Sequence, residues 1–137
     1  MAPSQEEVLD LFSQLAKQET QKNFFAQVRD DVNWWIVGST PMSRTYTSKQ
    51  DFQNATLEIL NKKVLGQPLC MRVVNVVAGK DQAVGELEAI DATCRNGLEY
   101  PMRYCWVLHF DDDGKIDRVR AYLDTELLSK AIAQNSV

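Results

Sequence analysis

Apolar positions along this chain change period once, from helical spacing in the first half to alternation in the second. Val8, Leu11, Phe12 and Leu15 recur three and four apart, which puts them on one stripe of a helix over residues 5–18. Ser4-Gln5-Glu6-Glu7 ahead of them is a capping box, with Ser4 accepting from first-turn amides and Glu7 reaching back. Phe24, Phe25 and Val28 predict a short helix around 23–28. The β-branched and aromatic run 32–37 predicts a strand ended by Gly38-Ser39-Thr40-Pro41. Ser48, with Asp51 three residues on, starts a helix over 49–63 whose apolar residues are Phe52, Ala55, Ile59 and Leu60.

After Gly66-Gln67-Pro68 the pattern is extended almost to the end. It predicts strands over 69–78, 82–94, 99–110 and 115–123. These are separated by Gly79-Lys80-Asp81, the hairpin dipeptide Asn96-Gly97 and the turn Asp111-Asp112-Asp113-Gly114. A helix over 125–133 closes the chain. No repeat, linker or low-complexity tract divides it, so 1–137 reads as a single domain. Sequential hairpins favour an antiparallel meander with helices over one face. The expected class is α+β: a curved antiparallel sheet wrapped on the N-terminal helices, enclosing an apolar pocket with a few polar groups.

Composition narrows the function classes. A net charge of −4 and a pI near 5.0 oppose nucleic-acid binding, because nothing compensates phosphate repulsion. No apolar run reaches the roughly 20 residues of a membrane span. The start MAPSQEEVLD lacks the basic and apolar regions of a signal peptide, so a soluble, cytoplasmic protein is expected. Cys70, Cys94 and Cys105 are an odd set without close spacing and read as reduced thiols. One histidine and scattered carboxylates make no metal ligand set, and no glycine-rich phosphate loop occurs, so neither a metal nor a cofactor is expected.

Alternate residues of a strand share a face. Tyr100, Met102, Tyr104, Trp106, Leu108 and Phe110 form one such set, opposite Arg103, Cys105, Val107 and His109. The aromatic set is either plain core or the wall of a cavity into which hydroxyl tips project. Tyr100 and Tyr104, four apart, are either structural or flank a substrate oxygen as donors. In the last strand Ile116, Arg118, Arg120, Tyr122 and Asp124 share a face, and an arginine and a carboxylate beside apolar residues favour a pocket over plain core. Arg120 pairs with Asp124, binds a substrate carboxylate or enolate, or is solvated. Glu86 and Glu88 divide acid and base roles at one pocket, or simply face solvent. Asp124 precedes Thr125-Glu126-Leu127-Leu128, so it is either a poorly solvated pocket acid with a raised pKa or the N-cap of the last helix.

With those residues in place, the chain resembles the SnoaL-like branch of the nuclear-transport-factor-2-like superfamily, the cone fold shared with ketosteroid isomerases. The resemblance runs over essentially the whole chain. It is carried by Asp30-Asp31-Val32 leading into Trp34-Trp35, by Val37-Gly38-Ser39-Thr40-Pro41-Met42-Ser43, and by Asp113-Gly114-Lys115-Ile116 followed by Arg120-Ala121-Tyr122-Leu123-Asp124. In SnoaL-type cyclases and limonene-epoxide hydrolases an aspartate eight residues after the position of Ile116 is the catalytic acid or base, which here is Asp124. The resemblance implies a cofactor-independent isomerase or cyclase acting on a hydrophobic, oxygenated small molecule in natural-product biosynthesis. Asp124, Tyr104 and Glu88 would be catalytic. Trp35, Asn33, Tyr100, Trp106, Arg120, Tyr122 and Glu86 would bind substrate. Trp34 and His109 would lie on the outer sheet face, where a homodimer forms. Departures matter too: Trp35 stands where ketosteroid isomerases have their aspartate base, and a single histidine excludes the paired-histidine dehydratases of this fold. Two alternatives stay open, a non-catalytic ligand-binding or dimerisation module, and an epoxide hydrolase holding a water between Asp124 and Glu88.

Overall fold

The computed structural model describes residues 3–135; Met1, Ala2, Ser136 and Val137, counted above within the single domain, lie outside them. Helix α1 (Gln5–Ser13) starts at the expected box, with the Glu7 amide donating to Ser4 Oγ at 3.2 Å and the Ser4 amide to Glu7 Oε1 at 2.9 Å. The Ser4 amide, and after it the Ser4 hydroxyl, stabilise the Glu7 anion and hold its carboxyl below its ordinary range. A 3-10 turn over Gln14–Ala16 tightens its end, so the predicted span to 18 is one helix plus a turn. Val8, Phe12 and Leu15 are fully buried, and α1 lies against strand β3 (Met71–Ala78). Its Phe12 ring packs tightly over Gly85 of the sheet, where a β-carbon would stand 2.5 Å from the ring. A short α2 (Gln21–Phe25) follows.

Six strands form one sheet in the order β2-β1-β6-β5-β4-β3. The other strands are β1 (Val28–Ile36), β2 (Thr45–Tyr46), β4 (Gln82–Ala89), β5 (Arg103–Phe110) and β6 (Ile116–Leu123). The last four strands make the expected antiparallel meander. The sheet is mixed rather than wholly antiparallel, because β1 pairs with β6 in parallel. The Asn96-Gly97 turn sits beyond the ends of β4 and β5, with Gly97 at φ +91° and a bridge between Thr93 and Glu99.

The helix predicted over 49–63 is interrupted. Ser48 caps α3 (Lys49–Ala55), its hydroxyl accepting from the Asp51 amide at 3.0 Å. At Thr56 the hydroxyl donates to the Phe52 carbonyl at 2.6 Å, which competes with the regular helical ladder. The chain then continues as α4 (Leu57–Ile59) and a π-helical turn over Leu60–Val64. Helix α5 (Thr125–Asn135) closes the chain against that turn. No helix among the described residues is long and apolar enough to cross a membrane.

Candidate functional site

Inside the cone, the inward faces of β1, β5 and β6 meet α3, α4 and α5 around an apolar chamber of about 40 Å³. Trp34 and Ile36 come from β1, Trp106 and Tyr104 from β5, Ala121 and Leu123 from β6, with Tyr100 just ahead of β5. Phe52, Leu57 and Leu60 form the helical wall, and Leu128 of α5 lines it too. The space holds a few water molecules at most, far below the roughly 300–1,000 Å³ of a drug-sized ligand site.

Three buried polar atoms on these walls have no hydrogen-bond partner: Trp34 Nε1, Tyr100 OH and Tyr104 OH. The two hydroxyls neighbour one another closely enough to influence each other's ionisation, without forming a bond of good geometry. Burial is the main cause of their shifts. It pushes Tyr100 up to about 12, against a lowering by the Tyr104 hydroxyl, and it pushes Tyr104 well above the ordinary tyrosine value. Both are therefore neutral at physiological pH. The Trp34 indole is held on two sides, stacked on Phe52 with centroids 3.8 Å apart and met edge-on by Trp106 at 5.1 Å. Such packing fixes the direction of its N–H without a polar contact.

Of the residues singled out in the sequence, Tyr100, Tyr104 and Trp106 line this chamber. Trp35, Asn33, Arg120, Tyr122, Glu86 and Glu88 do not; the structure turns them to the opposite sheet face. In β1 the buried residues are Val32, Trp34 and Ile36, leaving Asn33 and Trp35 outside. Trp34, which the resemblance places outside, lies inside and lines the chamber; the alternation Val32-Trp34-Ile36 is its signal in the sequence. In β6 an extra residue, Asp117, shifts the register between the Phe110–Ile116 and His109–Arg118 pairs. Ile116 therefore shares the inner face with Val119 and Ala121, and Arg118, Arg120 and Tyr122 point out. Glu88 is held outside by Arg72 at 2.7 Å and Arg103 at 3.3 Å, and Glu86 accepts from Asn75 at 3.0 Å. Glu88 thus stands across the sheet from the chamber, so the water between Asp124 and Glu88 that epoxide hydrolysis requires has no place.

Asp124 is exposed and caps α5, its Oδ1 accepting from the Leu127 amide at 3.0 Å. It stands between two chamber residues, Leu123 and Leu128, and its charge reaches the Tyr100 hydroxyl. His109 lies outward as expected, its Nδ1 2.6 Å from Asp117 and its Nε2 3.3 Å from Asp81. The three cysteines are free thiols, each pushed up by burial. Among the described residues no group of three or more His, Cys, Asp or Glu is placed to hold a metal ion.

No family profile matches the chain. A curated relative, the dimerizing cyclase phiC of a fungal species (strain ATCC 74256), is 24% identical over 135 residues. That alignment covers 98% of this chain and 59% of the relative, so the chain spans about three-fifths of the curated relative it matches. Among solved structures, an NTF2-like protein of Burkholderia thailandensis superposes with a TM-score of 0.77 at 17% identity, covering 95% of this chain and 98% of that one. A protein assigned as a SnoaL-like polyketide cyclase from Mesorhizobium loti gives a TM-score of 0.65 at 17% identity, covering 88% and 99%. Bal32a, from a soil-derived mobile gene cassette, gives 0.72 at 14% identity, covering 91% and 92%. Taken with the ring-walled chamber and the sheet order, these likenesses show that the chain has the nuclear-transport-factor-2-like cone fold, the architecture it shares with the SnoaL-like cyclase.

Proposed function

We propose that the chain is a cofactor-independent isomerase or cyclase that admits a hydrophobic, oxygenated small molecule to the cone, in natural-product biosynthesis. One observation carries the reading: Trp34 Nε1, Tyr100 OH and Tyr104 OH are buried without partners on otherwise apolar walls. An unsatisfied buried polar group costs about 1–3 kcal/mol, so three of them on the walls of one chamber are a liability to the fold unless a ligand completes them. A carbonyl oxygen placed among them accepts from neutral, preorganised donors that strengthen as negative charge develops. The name of the curated relative, a dimerizing cyclase, supports the same kind of chemistry.

In this mechanism Asp124 removes a proton from the carbon next to the substrate carbonyl. The C–H electron pair shifts to the carbonyl oxygen, and the resulting enolate is held by Tyr100, Tyr104 and Trp34. Asp124 returns the proton at another carbon in an isomerisation. In a cyclisation the enolate carbon bonds to a second carbonyl carbon of the same molecule, the π pair of that C=O moves to its oxygen, and Asp124 returns its proton to the alkoxide so formed. The test is deuterium exchange at the enolisable carbons of 2-tetralone in deuterated buffer. The wild-type chain should accelerate exchange, and Tyr100→Phe with Tyr104→Phe should reduce the acceleration by roughly 10²-fold or more. Exchange at the buffer rate, or undiminished in the double variant, would refute it. A second reading, non-catalytic ligand binding, is favoured by the absence of any carboxylate or histidine among the chamber-lining residues. It predicts binding of 2-naphthol without exchange on 2-tetralone.

The partner we propose is a second copy, docked on the outer sheet face. Trp35 and Tyr122 stand 42% and 40% exposed there and contact each other edge-on at 6.4 Å. Arg118 and Arg120 on β6 have no ion-pair partner among the described residues, while Glu86 lies two strands away on β4. A two-fold axis along β5 sets one copy's β6 against the other's β4, opposing arginines to glutamates. Arg120→Glu should dissociate the dimer in sedimentation, and adding Glu86→Arg should restore it; a species unchanged by either substitution refutes this docking.

A further inference from the structure

At about 40 Å³ the chamber is too small for any substrate of the proposed class, so ligand entry needs a wall that moves. Three walls are firmly held. The sheet wall is tied by ladders on both sides of β6. The α3 wall is fastened by the Phe52–Trp34 stack and by Lys49, whose Nζ donates to the carbonyls of Phe25 at 2.9 Å and Val28 at 3.0 Å. The loop carrying Met42 is fixed by the Tyr46 hydroxyl, which donates to the Met42 carbonyl at 2.6 Å.

The segment of α4 and the π-helical turn that carries Leu57 and Leu60 is also tied. The Arg95 amide donates to the Val64 carbonyl at 2.9 Å and the Leu69 amide to Asn61 Oδ1 at 2.9 Å. That leaves α5, the last element among the described residues. It presents Leu128 to the chamber and buries Ala131 and Ile132 beside it. Its N-terminus is anchored by the Asp124 cap and by tight packing of Thr125 against Gly38, where a β-carbon would come within 2.6 Å of Thr125 Cγ2. Its far end is fastened to the Asn96-Gly97 turn by side-chain bonds at the surface. The Asn96 amide donates to Asn135 Oδ1 at 2.8 Å, and Asn96 Nδ2 donates to Gln134 Oε1 at 2.8 Å. One end is thus fixed by packing, and the other by exposed polar bonds that exchange readily with water.

We propose that α5 is the lid of the chamber, hinged at Asp124–Thr125 and latched by Gln134 and Asn135 on Asn96. This inference rests on the reading of the chamber as a ligand site, and it adds how that site is entered. Swinging the far end away withdraws Leu128 from the wall and opens the chamber beside Asp124, which brings the carboxylate within reach of an entering ligand. Helices of this kind, peripheral and held by few buried side chains, occupy the low end of the local-stability range, and closure over a ligand removes water from it.

Two measurements test the lid separately from the function. The first is amide hydrogen exchange of the free protein. The amides of 128–135 should exchange at least tenfold faster than those of β5 and β6, and Gln134→Ala with Asn135→Ala should quicken them further while leaving the β5 amides unchanged. Exchange of α5 as slow as the sheet overturns the proposal whatever the chamber binds. The second is stopped-flow quenching of tryptophan fluorescence by 2-naphthol. The latch-loosened variant should bind several-fold faster. A disulfide between Asn96→Cys and Asn135→Cys, in a Cys94→Ala background, should block binding when oxidised and release it on reduction. If the oxidised protein binds 2-naphthol as fast as the reduced one, the lid is wrong and the ligand site stands. If α5 opens in exchange but no form binds any probe, the lid stands and the proposed function fails.

Discussion

Replacing Tyr104 by phenylalanine should stabilise the protein and weaken its site at once. The substitution removes one oxygen and leaves the ring, which packs against Trp106 with centroids 6.1 Å apart. That oxygen is buried, with the Tyr100 hydroxyl beside it but no hydrogen bond of good geometry. An unsatisfied buried hydroxyl costs about 1–3 kcal/mol. The neighbouring Tyr100 hydroxyl offsets part of this, so a gain near the lower end, about 1 kcal/mol, is expected. For a chain of this size it corresponds to a rise in Tm of roughly 2–4 °C. Binding moves the other way: losing one donor of about 1 kcal/mol weakens 2-naphthol roughly five-fold. Thermal unfolding followed by circular dichroism and a fluorescence titration give both numbers on the same sample. A Tm that falls by 2 °C or more, on the scale of about 1 kcal/mol, refutes the reasoning. The hydroxyl would then have a resident partner in the chamber, such as a trapped water, and it would be a structural bond rather than an unfilled one.

Alkaline titration tests the burial of the pair: below pH 10 both the folded and unfolded tyrosines are protonated, whereas above it the unfolded chain loses the proton that folded Tyr100 keeps up to about 12. Stability should therefore fall across that window, by roughly 2–3 kcal/mol at its upper end, and Tyr100→Phe should remove this share of the loss in denaturant melts. Asp124 separates capping from catalysis. Asp124→Asn should keep Tm, because asparagine caps equally well, while Asp124→Ala should cost about 1 kcal/mol; both should abolish exchange on 2-tetralone, and retention of exchange in Asp124→Asn removes this residue from the mechanism. Gly85→Ala would put a methyl group 2.5 Å from the fully buried Phe12 ring. A loss of about 1–3 kcal/mol in urea unfolding is expected, and a neutral result would mean that α1 shifts freely over the sheet.

By itself the sequence determined the order and kind of the elements. The spacing of Val8, Phe12 and Leu15, the boxes at Ser4 and Ser48, and the turns at Asn96-Gly97 and Asp111–Gly114 are local signals whose physics acts within a few residues. They make the helices, the meander and the aromatic stripe of Tyr100, Tyr104 and Trp106 legible in the sequence. Tertiary structure decided what local signals leave open. Alternation divides a strand into two sets without saying which is inside, and it is the burial of Val32 and Ile36 that puts Trp34 in the core and Trp35 outside. One extra residue at Asp117 reversed the face of everything after it, and carried Arg120 and Tyr122 to the outside. The parallel pairing of β1 with β6 joins strands distant in sequence, which no hairpin signal marks. The role of Asp124 was open for the same reason. A carboxylate before a helix is a cap by local chemistry, and only the packing of α5 across the chamber sets how near that cap stands to the hollow.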